Sequence, residues 1–299
     1  MTSSEEMNEI ITDNMYDSFM NSEEDNIMYG GASYPDIDDP SFQQLIKEKF
    51  KNFEIPSRKP SFKEICFPEQ FKHQLPQGFV GQFINPKTDY KGLLVYHRIG
   101  AGKTCAAVLI ALAWCAIRRV IFIVPASLIG NVYKEFRSEC AGSKYMTTRE
   151  RERLKKLKVG SYDYDMLINE VNKRIDKDIH ILSFHKYVRA VRDGRMNLKN
   201  SLVIVDEVQN VVSEKGSTYN TIYNSFLESP PSTRIVVMSA TPIFDKPVEL
   251  ALTLNLLKPK KPIPVGAQFN ELFLKKHKDT FIMQNVNLFK QYVRGYVSY

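Results

Sequence analysis

Positive charge is missing from the first 40 residues, which hold 11 acidic side chains and no Lys or Arg. A stretch that polar and that one-sided cannot bury enough apolar surface to offset its ordering, so it is expected to be a disordered or partner-dependent tail. Cysteine is also scarce. The four in 299 residues, Cys66, Cys105, Cys115 and Cys140, show no paired spacing, which excludes a disulfide framework and a zinc-finger pattern. Cys105 and Cys115 sit in an apolar run and read as small core residues, so a reducing compartment with no zinc site is expected. Long hydrophobic runs are lacking too. No apolar stretch follows the initiating Met as in a signal peptide, and the run from Ala106 is broken by Arg118 and Arg119 short of a membrane span, so no membrane partner is expected.

What is present is an ordinary globular composition, 43% hydrophobic and 25% charged, enough for a sizeable core. The net charge of +7 hides an asymmetry, because residues 41–299 carry 41 basic side chains against 23 acidic ones. A body so basic fits a polyanionic partner, DNA or RNA, whose phosphates exchange counterions for Lys and Arg; plain solubility explains the same charge. The densest basic stretch, 143–158, holds Lys144, Arg149, Arg151, Arg153, Lys155, Lys156 and Lys158 against two Glu. It reads as a solvated helix face or as a phosphate-tracking surface.

Residues 41–74 mix one short helical pattern (Phe42, Leu45, Ile46) with proline-punctuated loops. From Leu75 the chain alternates apolar runs with helical patterns. The runs Gly92–Tyr96, Val120–Val124, His180–Leu182, Leu202–Val205 and Ile235–Met238 are short, rich in β-branched residues and apolar on both faces, as buried parallel strands are. Helical patterns fall at Thr104–Ile117, Ala126–Glu139, Thr218–Phe226 and Pro247–Leu257. The alternation predicts an α/β fold: a three-layer domain over 75–257 with a mostly parallel central sheet.

Three motifs sit just past the ends of those runs. His97-Arg98-Ile99-Gly100-Ala101-Gly102-Lys103-Thr104 lies between a strand and a helix. Small residues (Gly100, Ala101, Gly102) let backbone amides turn inward around a phosphate, Lys103 reaches its oxygens, and the Thr104 hydroxyl suits Mg²⁺. His97 stands where the phosphate-loop pattern usually opens with Gly. Leu202–Val205 then runs into Asp206-Glu207, one carboxylate to hold Mg²⁺ and one to orient and deprotonate an attacking water. Two acids at the end of a buried strand are costly without a metal or partner. Ser239-Ala240-Thr241-Pro242 supplies hydroxyls that can bond to the Asp206–Gln209 segment and report the state of the γ-phosphate; alone it is an ordinary turn. In an open parallel sheet the carboxyl ends of the strands line one crevice, where ligands bind. The cofactors expected there are ATP and Mg²⁺.

These residues together resemble a superfamily-two helicase of large DNA viruses, in its first RecA-like lobe. His97–Thr104 is similar to motif I, Val124-Pro125-Ala126-Ser127-Leu128 to motif Ia, Asp206-Glu207-Val208-Gln209 to motif II and Ser239-Ala240-Thr241 to motif III. Leu75-Pro76-Gln77, Phe79-Val80, Phe83-Ile84-Asn85-Pro86 and the closing Gly295–Tyr299 resemble stretches of the poxvirus early transcription factor small subunit and the viral nucleoside triphosphatase. The resemblance covers residues 70–299. It implies that Gln77 contacts adenine, that Glu207 is the catalytic base beside Lys103, and that Gln209, Ser239 and Thr241 couple hydrolysis to movement. Gln209 replaces the more usual His. Ser127, Ser183 and Lys186 would meet the nucleic-acid backbone. It further implies a second RecA-like lobe, on a longer chain or a partner subunit, with 258–299 as a helical segment (patterns at Phe269–Lys276 and Phe289–Tyr296) leading toward it. A first lobe alone should bind ATP weakly and hydrolyse it slowly. Viral transcription machinery is the implied partner, in the virion or the cytoplasmic factory of a host cell. Two other readings stand beside this one: a non-catalytic module that binds nucleic acid or a transcription partner, and a P-loop ATPase with no nucleic-acid role.

Overall fold

The structure, a computed structural model, describes residues 34–55, 71–98, 100–241, 246–277 and 280–299. Most of the acidic tail, and with it Ile99, Cys66 and Pro242, lies outside them. Where the chain is described, strand and helix alternate: α1 (Phe42–Lys49), α2 (Leu75–Phe83), β1 (Gly92–Tyr96), α3 (Lys103–Cys115), β2 (Arg119–Val124), α4 (Ile129–Arg137), α5 (Thr148–Lys156), α6 (Tyr162–Asp178), β3 (Ile179–Ser183), α7 (Phe184–Arg192), β4 (Ser201–Val205), α8 (Ser217–Leu227), β5 (Arg234–Ser239) and α9 (Val248–Asn255). After these come α10 (Gly266–Phe273), a hairpin of β6 (Leu274–His277) and β7 (Thr280–Met283), α11 (Val286–Val293) and β8 (Val297–Ser298).

Six strands form one parallel sheet in the order β3-β2-β4-β5-β1-β8. Alternate side chains of each strand go to opposite faces. Leu93, Val95, Phe122, Ile204 and Met238 join one core cluster with α2, α3, α4 and α6; Leu94, Ile123, Val203, Val205 and Val237 join the other with α7, α8, α9 and α10. The expected three-layer α/β architecture is what forms, because strands apolar on both faces must be covered twice. Register then fixes the crevice. Tyr96 lies opposite Ser239, Val124 opposite Ser183, and Ile123 opposite Val205, so the strands stop at one edge.

Several expectations change. The segment Ala126–Glu139 is a short 3₁₀ turn followed by α4 rather than one helix. Helix α6 has only a narrow apolar stripe, Leu167, Val171 and Ile175, in a polar sequence, and α7 is also one that periodicity did not pick out. Residues 258–299 are not simply helical: the pattern at Phe269–Lys276 stops when Phe273 is buried, and Leu274–His277 pairs antiparallel with Thr280–Met283. Val297–Ser298 then returns to the sheet beside β1. Residues 34–40 of the expected disordered tail are folded onto this C-terminal part: Lys260 pairs with Asp36 and Asp38, and the Tyr90 hydroxyl donates to the Pro35 carbonyl at 2.9 Å.

The cysteine expectation is corrected outright. Cys105, in the first turn of α3, is disulfide-bonded to Cys140, with Cα atoms 5.7 Å apart. Cys115 remains a thiol and accepts a hydrogen bond from Lys144 at 2.9 Å. Spacing in sequence could not reveal the pair, since the partners lie 35 residues apart on separate elements.

The basic stretch is partly structural. Arg151 donates to the backbone carbonyls of Arg137, Ser138 and Gly142, while Arg149, Arg153, Lys155, Lys156 and Lys158 face solvent. Thr147 and Glu150 close the start of α5 as a capping box, and Arg174 of α6 grips Glu150 at 2.8 and 3.1 Å. Burial by itself raises the Glu150 pKa, but the bonds from Arg174 and Thr147 outweigh it and hold the carboxyl below the usual glutamate value. A depressed carboxyl contributes stability that is complete above its unfolded pKa and is lost as pH falls through the folded one. Glu150→Gln should therefore cost about 1–2 kcal/mol at neutral pH and nothing below the folded-state pKa, read by denaturant titration at a series of pH values.

Candidate nucleotide site

The end of β1 leads through two glycines into the start of α3. Gly100 and Gly102 have φ of +82° and +67°, left-handed values that a side chain resists. Gly102 is the N-cap of α3 and brings no side-chain acceptor, and no acidic residue sits in the first turn. The first amides of a helix have no intrahelical partner, so those of α3 are left for a ligand, with the positive end of the helix dipole behind them. Ala101 and Thr104, half-buried, and the Lys103 side chain lie in the same turn.

Gln77 is brought to this loop from α2. It is buried, its Nε2 donates to the Gly102 carbonyl at 3.1 Å, and its Oε1 accepts from the Gln74 amide at 2.8 Å. A Cβ on Gly102 would displace the Gln77 amide, and the positive φ there favours glycine. Helix α2 is held against α3 by the buried Trp114, whose indole donates to the Ile84 carbonyl at 2.6 Å. His97 is buried at the loop's first position, with Nε2 3.2 Å from the Ser298 hydroxyl. Burial, then the Lys103 ammonium, lowers its pKa and keeps the imidazole neutral. Ser298 is a partner the sequence did not reveal, because only the return of β8 to the sheet places it there.

The acids arrive from β4. Asp206 is 5% exposed, and its pKa is pushed up to about 6 by burial first and by neighbouring Glu207 second, against the pull of the Glu207 amide and the Lys103 ammonium. The Lys103 ammonium is thus among the groups that bear on the Asp206 carboxyl. A buried carboxylate beside a second one is a donor set that suits a hard divalent cation such as Mg²⁺. Glu207 takes the left-handed conformation, φ +51°, with its amide donating to Asp206 Oδ1 at 2.9 Å.

From Glu207 a chain of hydrogen bonds leaves the site. Gln209 Nε2 donates to Glu207 Oε2, the Ser239 hydroxyl donates to Gln209 Oε1 at 2.7 Å, and the Thr241 amide donates to Ser239 Oγ at 3.0 Å. The chain crosses from β4 to β5, which lies between β4 and β1 in the sheet. Gln209 can do this because its amide is donor and acceptor at once.

The three residues expected at nucleic acid separate. Ser127 and Lys186 are exposed. Ser183 is buried, and its hydroxyl accepts from the Lys186 amide at 3.2 Å as the N-cap of α7, so it positions Lys186 instead of reaching outward.

A raised aspartate pKa makes the folded state bind its proton more tightly, so stability is lost as pH rises from about 4 through 6. Asp206→Asn keeps the oxygen that accepts from Glu207 and removes the buried charge. It should stabilise the nucleotide-free protein at pH 7.5 by up to about 3 kcal/mol, with the gain vanishing below pH ~4, as read by thermal melts.

Comparison with known proteins agrees with this geometry. Residues 82–250 match the DEAD/DEAH box helicase family. A putative ATP-dependent RNA helicase (R563) of Acanthamoeba polyphaga mimivirus is 45% identical over 276 residues, covering 91% of this chain and 48% of that protein. The early transcription factor 70 kDa subunit of fowlpox virus is 22% identical, covering 70% of this chain and 29% of that one. The helicase domain of Pyrococcus furiosus Hef matches structurally over 66% of this chain and 38% of its own, with 15% identity and a TM-score of 0.43. The chain thus spans about half the length, or less, of the curated relatives described here.

Proposed function

Because this chain belongs to the DEAD/DEAH box helicase family, we propose that it is the ATP-binding lobe of a nucleic-acid-dependent ATPase that moves along or remodels DNA or RNA during viral transcription. The observation that carries this reading is the meeting, at one sheet edge, of an uncapped helix start with Lys103, a buried Asp206 and the Glu207–Gln209–Ser239 chain. The transcription role rests on the likeness to the fowlpox factor.

In this reading Gly100, Ala101, Gly102 and the first amides of α3 cradle the phosphates, while Lys103 neutralises the β/γ oxygens. Thr104 and Asp206 hold Mg²⁺, which supplies charge neutralisation on the phosphates when bound. Glu207 orients a water and takes its proton as the water oxygen bonds to the γ-phosphorus and the bond to the β-phosphate oxygen breaks. Gln77, already fixed on Gly102, presents its amide edge toward the base side of the site and reads adenine. Gln209 senses the Glu207 carboxylate and passes its state through Ser239 to Thr241. Ser127, Lys186 and the exposed face of α5 follow the nucleic-acid backbone. A second RecA-like lobe, on a longer chain or a partner, completes the site with an arginine, a contribution of about 10³–10⁵ in turnover in related phosphoryl transfers.

Lys103→Ala should abolish binding of a fluorescent ATP analogue, and unchanged affinity would overturn the site. Glu207→Gln in the two-lobed assembly should keep ATP binding and lose about 10²–10⁴ in turnover. Gln209→Ala should leave basal hydrolysis within a few-fold but remove its stimulation by nucleic acid, measured as phosphate release with and without duplex or single strands. Titrating polynucleotide at two salt concentrations, with and without ATP, tests the wider reading: nucleotide-indifferent binding points to a non-catalytic module, and no binding at low salt to an ATPase of another kind.

A further inference from the structure

Next to Thr104, where α3 begins, three metal-ligating side chains converge. His73 comes from the segment that leads into α2, Cys105 from the first turn of α3, and Cys140 from the turn after α4; their ligand atoms all lie within 4.8 Å of one another. We propose that, once the Cys105–Cys140 bond is reduced, these three residues form a site for a thiophilic divalent cation, zinc by class.

The chemistry of the set points there. Two thiolates and an imidazole are the donors that zinc prefers, and a zinc tetrahedron with such bonds has edges of about 3.5–3.8 Å, inside the observed spread. Cys105 and Cys140 are 4% and 1% exposed, so once reduced they form a buried pair of thiols, and a cation that binds them takes the place of both protons. Side-chain rotation alone can open the sulfurs from a bond to a tetrahedral edge, because the Cα atoms already stand 5.7 Å apart. His73 Nε2 lies 3.0 Å from the Cys140 carbonyl. A contact of this kind to a carbonyl is what orients ligating histidines. Three protein ligands leave the fourth position to water or another donor.

The electron and proton balance is simple. A phosphine reductant gives up two electrons and takes the oxygen of one water as it becomes the phosphine oxide; the two protons of that water go to the sulfurs, giving two thiols, and the cation then displaces both protons to solvent. The occupied site would join three pieces of the nucleotide site's scaffold: the lead into the Gln77 helix, the turn that follows Lys103 and Thr104, and the end of α4.

The test uses the full chain, reduced with a phosphine, stripped with a chelator and titrated anaerobically with Co²⁺ and then Zn²⁺. One equivalent of Co²⁺ should give tetrahedral d–d bands and thiolate-to-cobalt charge transfer, and Zn²⁺ should displace it. His73→Ala and Cys140→Ser should each lose the signal, while Cys115→Ser keeps it. Reoxidising the loaded wild type with an azo oxidant, which takes up two electrons and two protons as the disulfide forms, should release one equivalent of metal. That arm reads the same site even where a variant fails to fold. No charge-transfer band in the reduced wild type, a band that survives in both variants or disappears in Cys115→Ser, or metal retained after reoxidation would each overturn the proposal.

Discussion

Parallel strands that stop in register at one edge are the constraint from which the rest of this molecule follows. Strands buried on both faces need helices on both faces, and each crossover returns the chain to start its next strand at the same end. The loops that leave β1, β4 and β5 therefore open into one crevice, and the ammonium of Lys103, more than 100 positions away in sequence, bears on the Asp206 carboxyl. The order of strands matters as much as their direction. Because β5 runs between β1 and β4, Ser239 reaches the segment after Asp206 without any special loop.

Within that frame the site stores unfavourable charge and backbone strain. Asp206 is kept where its ionised form is disfavoured, Glu207 sits at positive φ, and the start of α3 has no side-chain cap. Each is a cost for the empty protein that a bound polyphosphate and cation would relieve, and such local violations are expected at a ligand site. Their neighbours are arranged in the opposite sense. Gln77 is satisfied on both ends of its amide and Trp114 on its indole nitrogen, so the walls are rigid where the floor is strained.

The start of α3 carries a different chemistry as well. Cys105 follows Thr104 directly, and its partner Cys140 and neighbour His73 come from two other elements. Sulfur ties α3 to the turn after α4, and the imidazole of His73 bonds to the Cys140 carbonyl in that turn. Asp36 and Asp38 add a further tie where they meet Lys260.

The sequence by itself determined the five long strands of the sheet and its parallel character, and it picked out Lys103, Thr104, Asp206 and Glu207 as candidates for a site at the ends of those strands. Those signals are local: an unbroken β-branched run reads as a buried strand, and glycines before a Lys-Thr helix start read as a phosphate loop wherever they occur. A bond from Ser239 to the Asp206–Gln209 segment was legible in the sequence, and the placement of β5 beside β4 makes Gln209 its partner. The buried state of Ser183, the His97–Ser298 contact, the hairpin in place of a helix after Phe273 and the Cys105–Cys140 pair were decided by tertiary structure alone. Each depends on which distant element packs nearby. Periodicity cannot report that, because one chain segment carries its own propensity but no record of its neighbours in space.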